Sequence, residues 1–200
     1  MSRIEETLAM DRRRFLRATL TGGALLLVGG GFVVPRLFAA TNTPVGKPGK
    51  VLLEIFDDDG RDLGPHEVPK LVLTDAQWRQ RLSPASYEIM RRDGTEPAFS
   101  GEHERPAAKG LFRCAACATA LYDAATEFDS GTGWPSFWQP IARRNVTEHR
   151  DTMFGMERTA ISCTGCDSHL GHVFDDGPRP TGLRYCMNSV ALRFVARTTS

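Results

Sequence analysis

Four of the five cysteines fall in two pairs, Cys114-x2-Cys117 and Cys163-x2-Cys166. A tight C-x2-C turn presents two thiolates on one side, and two such turns close the tetrahedral shell of one Zn2+. The 45 residues between the pairs exceed the spacing of a zinc finger, so the pairs are expected on separate β-hairpins that the metal staples together. An all-sulfur shell leaves no open position, which makes the expected zinc structural, one ion per chain. The rival chemistry is disulfide formation, a common fate of paired cysteines in an oxidising compartment.

The fifth thiol, Cys186, has two readings. A lone cysteine commonly behaves as a small buried hydrophobe. Against that, Arg184 two residues earlier can lower its pKa toward the nucleophilic thiolate, and Asn188 two residues later is an odd choice for a plain core position. His169 and His172 follow the second cysteine pair at a spacing that invites them into the metal shell. With four thiolates already there, they read instead as spare groups able to donate protons. The run Gly131-Thr132-Gly133-Trp134-Pro135 gathers turn residues around one indole and reads as a surface wall rather than a core plug.

These groups need elements to position them. Val51–Phe56 reads as a strand, Asp57–Gly60 as a turn, and Leu71–Leu73 as a second short strand. Thr74 opens a helix with Gln77 in capping-box position and Trp78 and Leu82 on one face. Ser83-Pro84 starts a second helix that ends near Gly94. From Gly110 the chain reads as β, with short runs at Leu111–Arg113, Phe137–Gln139, Thr159–Ser162 and Tyr185–Val195. In the last run, alternation puts Cys186, Asn188, Val190, Leu192 and Phe194 on one face of a single strand.

Ahead of this body, Arg12-Arg13-Arg14-Phe15-Leu16 precedes an apolar, glycine-diluted run from Ala18 to Val34. Residues 1–40 therefore resemble a twin-arginine export signal, which predicts a periplasmic protein, anchored to the membrane if the signal is not cleaved. That route carries folded, metal-loaded proteins, so zinc would be in place before the cysteines meet an oxidant. Residues 41–50 read as a Pro/Gly/Lys linker, and 51–200 as the functional domain. The chain is near neutral, with 25 Lys+Arg against 24 Asp+Glu. Six Arg and three acids lie in the first 40 residues, which leaves a slightly acidic body with no electrostatic reason to bind nucleic acid.

Three runs together resemble methionine-R-sulfoxide reductase: Phe128-Asp129-Ser130-Gly131-Thr132-Gly133-Trp134-Pro135-Ser136-Phe137, His169-Leu170-Gly171-His172-Val173-Phe174-Asp175-Asp176-Gly177-Pro178, and Arg184-Tyr185-Cys186-Met187-Asn188-Ser189. The cysteine pairs lie where the zinc-containing branch of that family has them, and the likeness runs from about Thr74 to Phe194. The resemblance implies a mainly β fold of two antiparallel sheets with short N-terminal helices, and a zinc remote from the nucleophile. It implies that Cys186 attacks the sulfoxide sulfur and takes its oxygen, becoming a sulfenic acid as methionine leaves. His172 would supply the proton, assisted by His169 and Asn188. Trp134 would hold the substrate's S-methyl group, Phe174 would line the same pocket, and Arg184 would help keep Cys186 ionised. The implied partners are free or protein-bound methionine sulfoxide and a thioredoxin-like or small-thiol reductant, acting on a monomer.

One position departs from the family pattern. Thr132 stands where many relatives carry a second cysteine that captures the sulfenic acid, so an external thiol is expected to regenerate Cys186. The competing readings are a zinc-ribbon binding module without catalysis and a cysteine hydrolase pairing Cys186 with His172.

Overall fold

The computed structural model describes residues 44–101, 109–152 and 157–197. The export-signal reading of residues 1–40 lies outside them. Strands β1 (Pro44–Val45), β2 (Lys50–Phe56), β3 (Asp62–Pro69) and β4 (Leu73–Thr74) come first. Two helices follow, α1 (Asp75–Arg81) and α2 (Pro84–Arg92). The remaining strands are β5 (Gly110–Cys114), β6 (Ala120–Asp123), β7 (Glu127–Phe128), β8 (Ser136–Phe137), β9 (Val146–Asp151), β10 (Arg158–Cys163), β11 (His169–Phe174), β12 (Arg184–Met187) and β13 (Leu192–Ala196).

Two antiparallel sheets carry the fold, six strands in the order β7-β8-β12-β11-β10-β9 and three in the order β13-β5-β6. Aromatic side chains join them. Phe112 of β5 meets Phe137 of β8 edge-on at 5.0 Å, and Tyr122 of β6 stacks on Phe137 at 4.3 Å. The Tyr122 hydroxyl donates to Met187 Sδ of β12 at 3.1 Å, so its one polar group is partnered inside the core. Phe112, Tyr122, Phe137, Tyr185 and Met187 are all fully buried.

The helices form where the sequence places them. Thr74 caps α1 in a complete capping box with Gln77, and Ser83 caps α2 ahead of Pro84. Trp78 is buried beneath the Arg91 guanidinium, which lies 4.5 Å above the indole. Arg91 also donates to the Cys166 carbonyl, tying α2 to the second cysteine turn.

Several boundaries differ from the expectation. The run Tyr185–Val195 is not one strand. β12 ends at Met187, a 3-10 turn spans Ser189–Ala191, and β13 resumes in the other sheet against β5. Alternation continues across the break, but the faces do not. Tyr185 and Met187 point into the core, while Cys186 lies on the opposite, partly open face of β12; Val190, Leu192 and Phe194 are only half-buried. β2 pairs with β3, a strand the sequence did not suggest, and of the expected strand Leu71–Leu73 only Leu73 lies in one, the two-residue β4. Gly64, Pro65 and Pro69 disguise β3, and they are tolerated because it is the edge of a two-stranded sheet. Of the expected linker, Pro44–Val45 pairs with β4 and the Gly49 carbonyl accepts from Lys70 N–H at 2.8 Å. Phe137–Gln139 shrinks to Ser136–Phe137.

Candidate active site and metal centre

The two cysteine pairs sit at the ends of separate hairpins, Cys114 and Cys117 between β5 and β6, Cys163 and Cys166 between β10 and β11. Both turns close the same way. A left-handed residue, Ala118 in one and Asp167 in the other, donates its N–H back to the first cysteine's carbonyl at 2.9 and 2.8 Å. All four sulfurs lie within 4.8 Å of one another, with Cys117–Cys163 at 3.5 Å and Cys114–Cys166 at 3.8 Å. A tetrahedron with metal–sulfur bonds of about 2.3 Å has edges of about 3.8 Å, so the donor set fits a single soft divalent ion. His169 and His172 lie outside the cluster.

Cys186 is the central strand residue of a three-strand row. Across β12 it faces Ser136 of β8 on one side and His172 of β11 on the other. The β11 neighbour two strands of chemistry depend on is Gly171, where a Cβ would come within 2.1 Å of the Cys186 carbonyl oxygen. Only glycine lets the two strands approach there.

In a regular strand His169 and His172, three apart, would face opposite ways. A bulge resets the parity. Ile161 pairs with Gly171 and Ser162 with His169, which leaves Leu170 as the extra residue. The two imidazoles consequently share a face, their ring centroids 5.3 Å apart. His172 Nε2 lies 2.8 Å from Asp151 Oδ2, and Asp151 also pairs with Arg158 at 2.7 Å. Burial lowers the His172 pKa, and the Asp151 carboxylate opposes that shift. His169 is buried with neither ring nitrogen hydrogen-bonded. Its burial, with His172 beside it, lowers its pKa to about 4, so it is neutral at pH 7.

Desolvation also governs Cys186. Burial raises its pKa above the ordinary thiol value, and this outweighs the lowering by Arg184, by the Thr132 and Ser136 hydroxyls and by a hydrogen bond to Arg184. Arg184 acts in the direction expected of it, lowering the thiol pKa, and desolvation is the larger effect. One reason is that its guanidinium already makes two 2.8 Å bonds to Asp176. The same guanidinium lies 4.4 Å above the Phe174 ring, so Phe174 supports Arg184 as well as flanking His172, 6.5 Å away ring to ring.

Trp134 is half-buried, and its indole N–H donates to the Glu96 carbonyl at 3.0 Å. Asn188 is buried and fully engaged. Its Oδ1 accepts from Glu96 N–H at 2.9 Å and its Nδ2 donates to the Leu170 carbonyl at 3.0 Å. Thr132 Oγ1 stands 4.0 Å from Cys186 Sγ and shares a 2.8 Å hydrogen bond with Ser130, which shares another with Ser136.

Sequence reasoning missed Glu96, Asp151, Asp176 and the Ser130–Ser136 pair. Asp176, Ser130 and Ser136 stood inside quoted motifs without being assigned a role. The others reach the site by contacts distant along the chain that no spacing rule marks.

The SelR domain family matches residues 82–196. A peptide methionine sulfoxide reductase MsrB of Thiobacillus denitrificans is 56% identical over 121 residues, 60% of this chain and 92% of the relative. A protein of the same name from Agrobacterium fabrum is 52% identical over 126 residues, covering 63% of this chain and 93% of the relative. With a constellation around Cys186 that the three motifs anticipated and a match spanning more than half its length, the chain belongs to the SelR domain family of methionine-R-sulfoxide reductases.

Proposed function

We propose that the chain reduces methionine R-sulfoxide to methionine with Cys186 as the nucleophile. The observation that carries this is the row Ser136–Cys186–His172 across three adjacent strands, with a half-exposed thiol between hydroxyls and an imidazole. The Cys186 sulfur attacks the sulfoxide sulfur, the oxygen passes to Cys186, and the thioether leaves as methionine. The thiol proton ends on the new Cys186 sulfenic acid, so the step balances without another reactant. His172, held by Asp151, protonates the oxygen as it transfers. His169, neutral and without a partner for either nitrogen, is the second group available to that oxygen. Trp134 and Phe174 supply apolar contacts to the S-methyl end, and Asn188 holds the chain just after the nucleophile in place.

Regeneration takes two equivalents of an external thiol. The first forms a mixed disulfide with Cys186 and releases water; the second frees Cys186 and leaves as disulfide. Thr132 in place of a resolving cysteine supports that reading. The four-cysteine cluster is read as structural Zn2+ that links the β5–β6 and β10–β11 turns, and elemental analysis of folded protein should give about one equivalent. Export by the twin-arginine route to the periplasm rests on Arg12 and Arg13; changing both to lysine should leave active enzyme in the cytoplasm.

The decisive experiment follows racemic methionine sulfoxide by chiral chromatography. Consumption of the R epimer alone, abolished in Cys186→Ser with the fold intact, supports the function. Equal loss of both epimers, or undiminished turnover in Cys186→Ser, refutes it. A non-catalytic zinc-ribbon module would consume neither.

A further inference from the structure

A cleft of about 550 Å³ opens beside β8 and is not formed by Cys186 or either histidine. Phe99, Phe128, Trp134 and Pro135 form its apolar side, and Glu127, Asp129, Ser130 and Ser136 line the rest. Ser136 is the cross-strand neighbour of Cys186, so one wall of the cleft adjoins the strand that carries the reacting thiol. Its volume is several times what one methionine side chain fills and falls in the range of about 300–1,000 Å³ typical of sites for larger ligands. Something beyond the sulfoxide itself has room here.

Phe99 gives the cleft its character. It is 77% exposed, one of two large exposed hydrophobic residues among the described ones. Its backbone is left-handed at φ 61°, a conformation strained for a bulky residue. Its N–H donates to the Gly133 carbonyl at 2.9 Å. The ring lies flat over Gly133, where a Cβ would come within 2.7 Å of it, so Gly133 is the residue that admits the phenyl to this place. A strained, solvent-facing phenyl gains nothing from burial in the free enzyme. It gains apolar contact once a ligand covers it.

We propose that this cleft is the subsite for the residue adjoining methionine sulfoxide in a polypeptide substrate, and that it favours a bulky apolar side chain packed against Phe99. The inference rests on Cys186 being the sulfoxide-reducing nucleophile. The occupant is a polypeptide rather than a free amino acid because the cleft holds more than one methionine sulfoxide fills and does not include Cys186 in its lining. Its flanking side chain is apolar because the side of the cleft on which Phe99 stands is phenyl, indole and proline surface, the polar residues lining the rest.

The test compares kcat/KM for two acetylated tripeptides carrying methionine R-sulfoxide at the centre, one flanked by phenylalanine on both sides and one by glycine. One aromatic packing contact predicts a preference of about tenfold for the phenylalanine peptide. In Phe99→Gly, where glycine adopts the left-handed backbone freely, the ratio should fall to within about twofold of unity, with the fold verified by circular dichroism. Phe99→Leu keeps an apolar wall and should retain a preference. A ratio near unity in the unaltered protein, or an undiminished ratio in Phe99→Gly, overturns the subsite. Free methionine R-sulfoxide runs alongside. If it and both peptides go unreduced, the functional reading fails and this inference with it.

Discussion

Thr132 Oγ1 stands 4.0 Å from Cys186 Sγ, at the position from which a second thiol could reach the nucleophile. A disulfide needs sulfur atoms about 2.05 Å apart, a gap that a small loop adjustment would close if residue 132 were cysteine. As it is, the hydroxyl can hydrogen-bond an oxidised Cys186 but cannot condense with it. After one equivalent of sulfoxide without reductant, metal-loaded protein should therefore lose one titratable thiol and gain about 16 Da at Cys186. Thr132→Cys should lose two, with a disulfide mapped between residues 132 and 186. Loss of two thiols in the unaltered protein, mapped to Cys186 and a cluster cysteine, would make a metal ligand the resolving residue.

The balance at Cys186 predicts how its reactivity responds to charge. Burial holds the thiol above its ordinary pKa and Arg184 pulls it down. At pH 7.5 the thiolate is the minor form, so any further rise lowers its fraction in proportion, about tenfold per unit. Arg184→Met should slow alkylation of Cys186 by iodoacetamide and move the midpoint of its pH profile upward. Asp176→Asn, which frees the guanidinium from its two-bond partner, should move it downward. Identical profiles for all three proteins would mean that Arg184 has no electrostatic hold on the thiol.

His172 runs the opposite way. Its pKa is already lowered by burial, and the Asp151 carboxylate limits the fall. As a proton donor it works only below its pKa, so the sulfoxide step should slow as pH rises through that value. Asp151→Asn removes the opposing charge, lowers the pKa further and should shift this descending limb toward acid. His172→Ala should cost roughly 10²–10⁴ in single-turnover rate. A limb that stays in place in Asp151→Asn would assign the proton to another group.

What could be read in advance follows from how local each feature is. The C-x2-C turns, the Thr74–Gln77 box and Ser83-Pro84 are set within a few residues, and they stand where the sequence puts them. The bulge at Leu170 is different. Nothing within His169-Leu170-Gly171-His172 states that the register against β10 slips by one, yet that slip is what sets both imidazoles on one face. Tyr185–Val195 misled because polar and apolar residues keep alternating through a 3-10 turn, so period two persisted where the strand did not. The sign of the Arg184 effect on Cys186 was legible from their spacing, whereas the desolvation that opposes it depends on packing that no spacing reveals.

Glu96 is the clearest case of a site residue invisible in sequence, and it makes the last prediction. Its buried carboxylate accepts from Ser189 N–H at 2.6 Å, Ser189 Oγ at 2.9 Å and Val190 N–H at 3.3 Å. Its own backbone takes the Asn188 carboxamide at its N–H and the Trp134 indole at its carbonyl. One residue thus fixes the turn that follows the nucleophile and orients the indole wall of the pocket. Removing the carboxylate leaves three donors unmet, at about 1–3 kcal/mol for each that water cannot reach. Glu96→Ala should therefore unfold at lower denaturant. Glu96→Gln keeps a carbonyl for Ser189 N–H and can donate to Ser189 Oγ, so it loses chiefly the Val190 contact and should fall between. A merely structural role would stop there. A positioning role also raises KM for the sulfoxide more than it lowers kcat, because Trp134 and Asn188 drift while Cys186 and His172 keep their strand pairing. Glutamine should restore most of that KM. Equal KM in all three folded proteins would leave Glu96 as a stability residue alone.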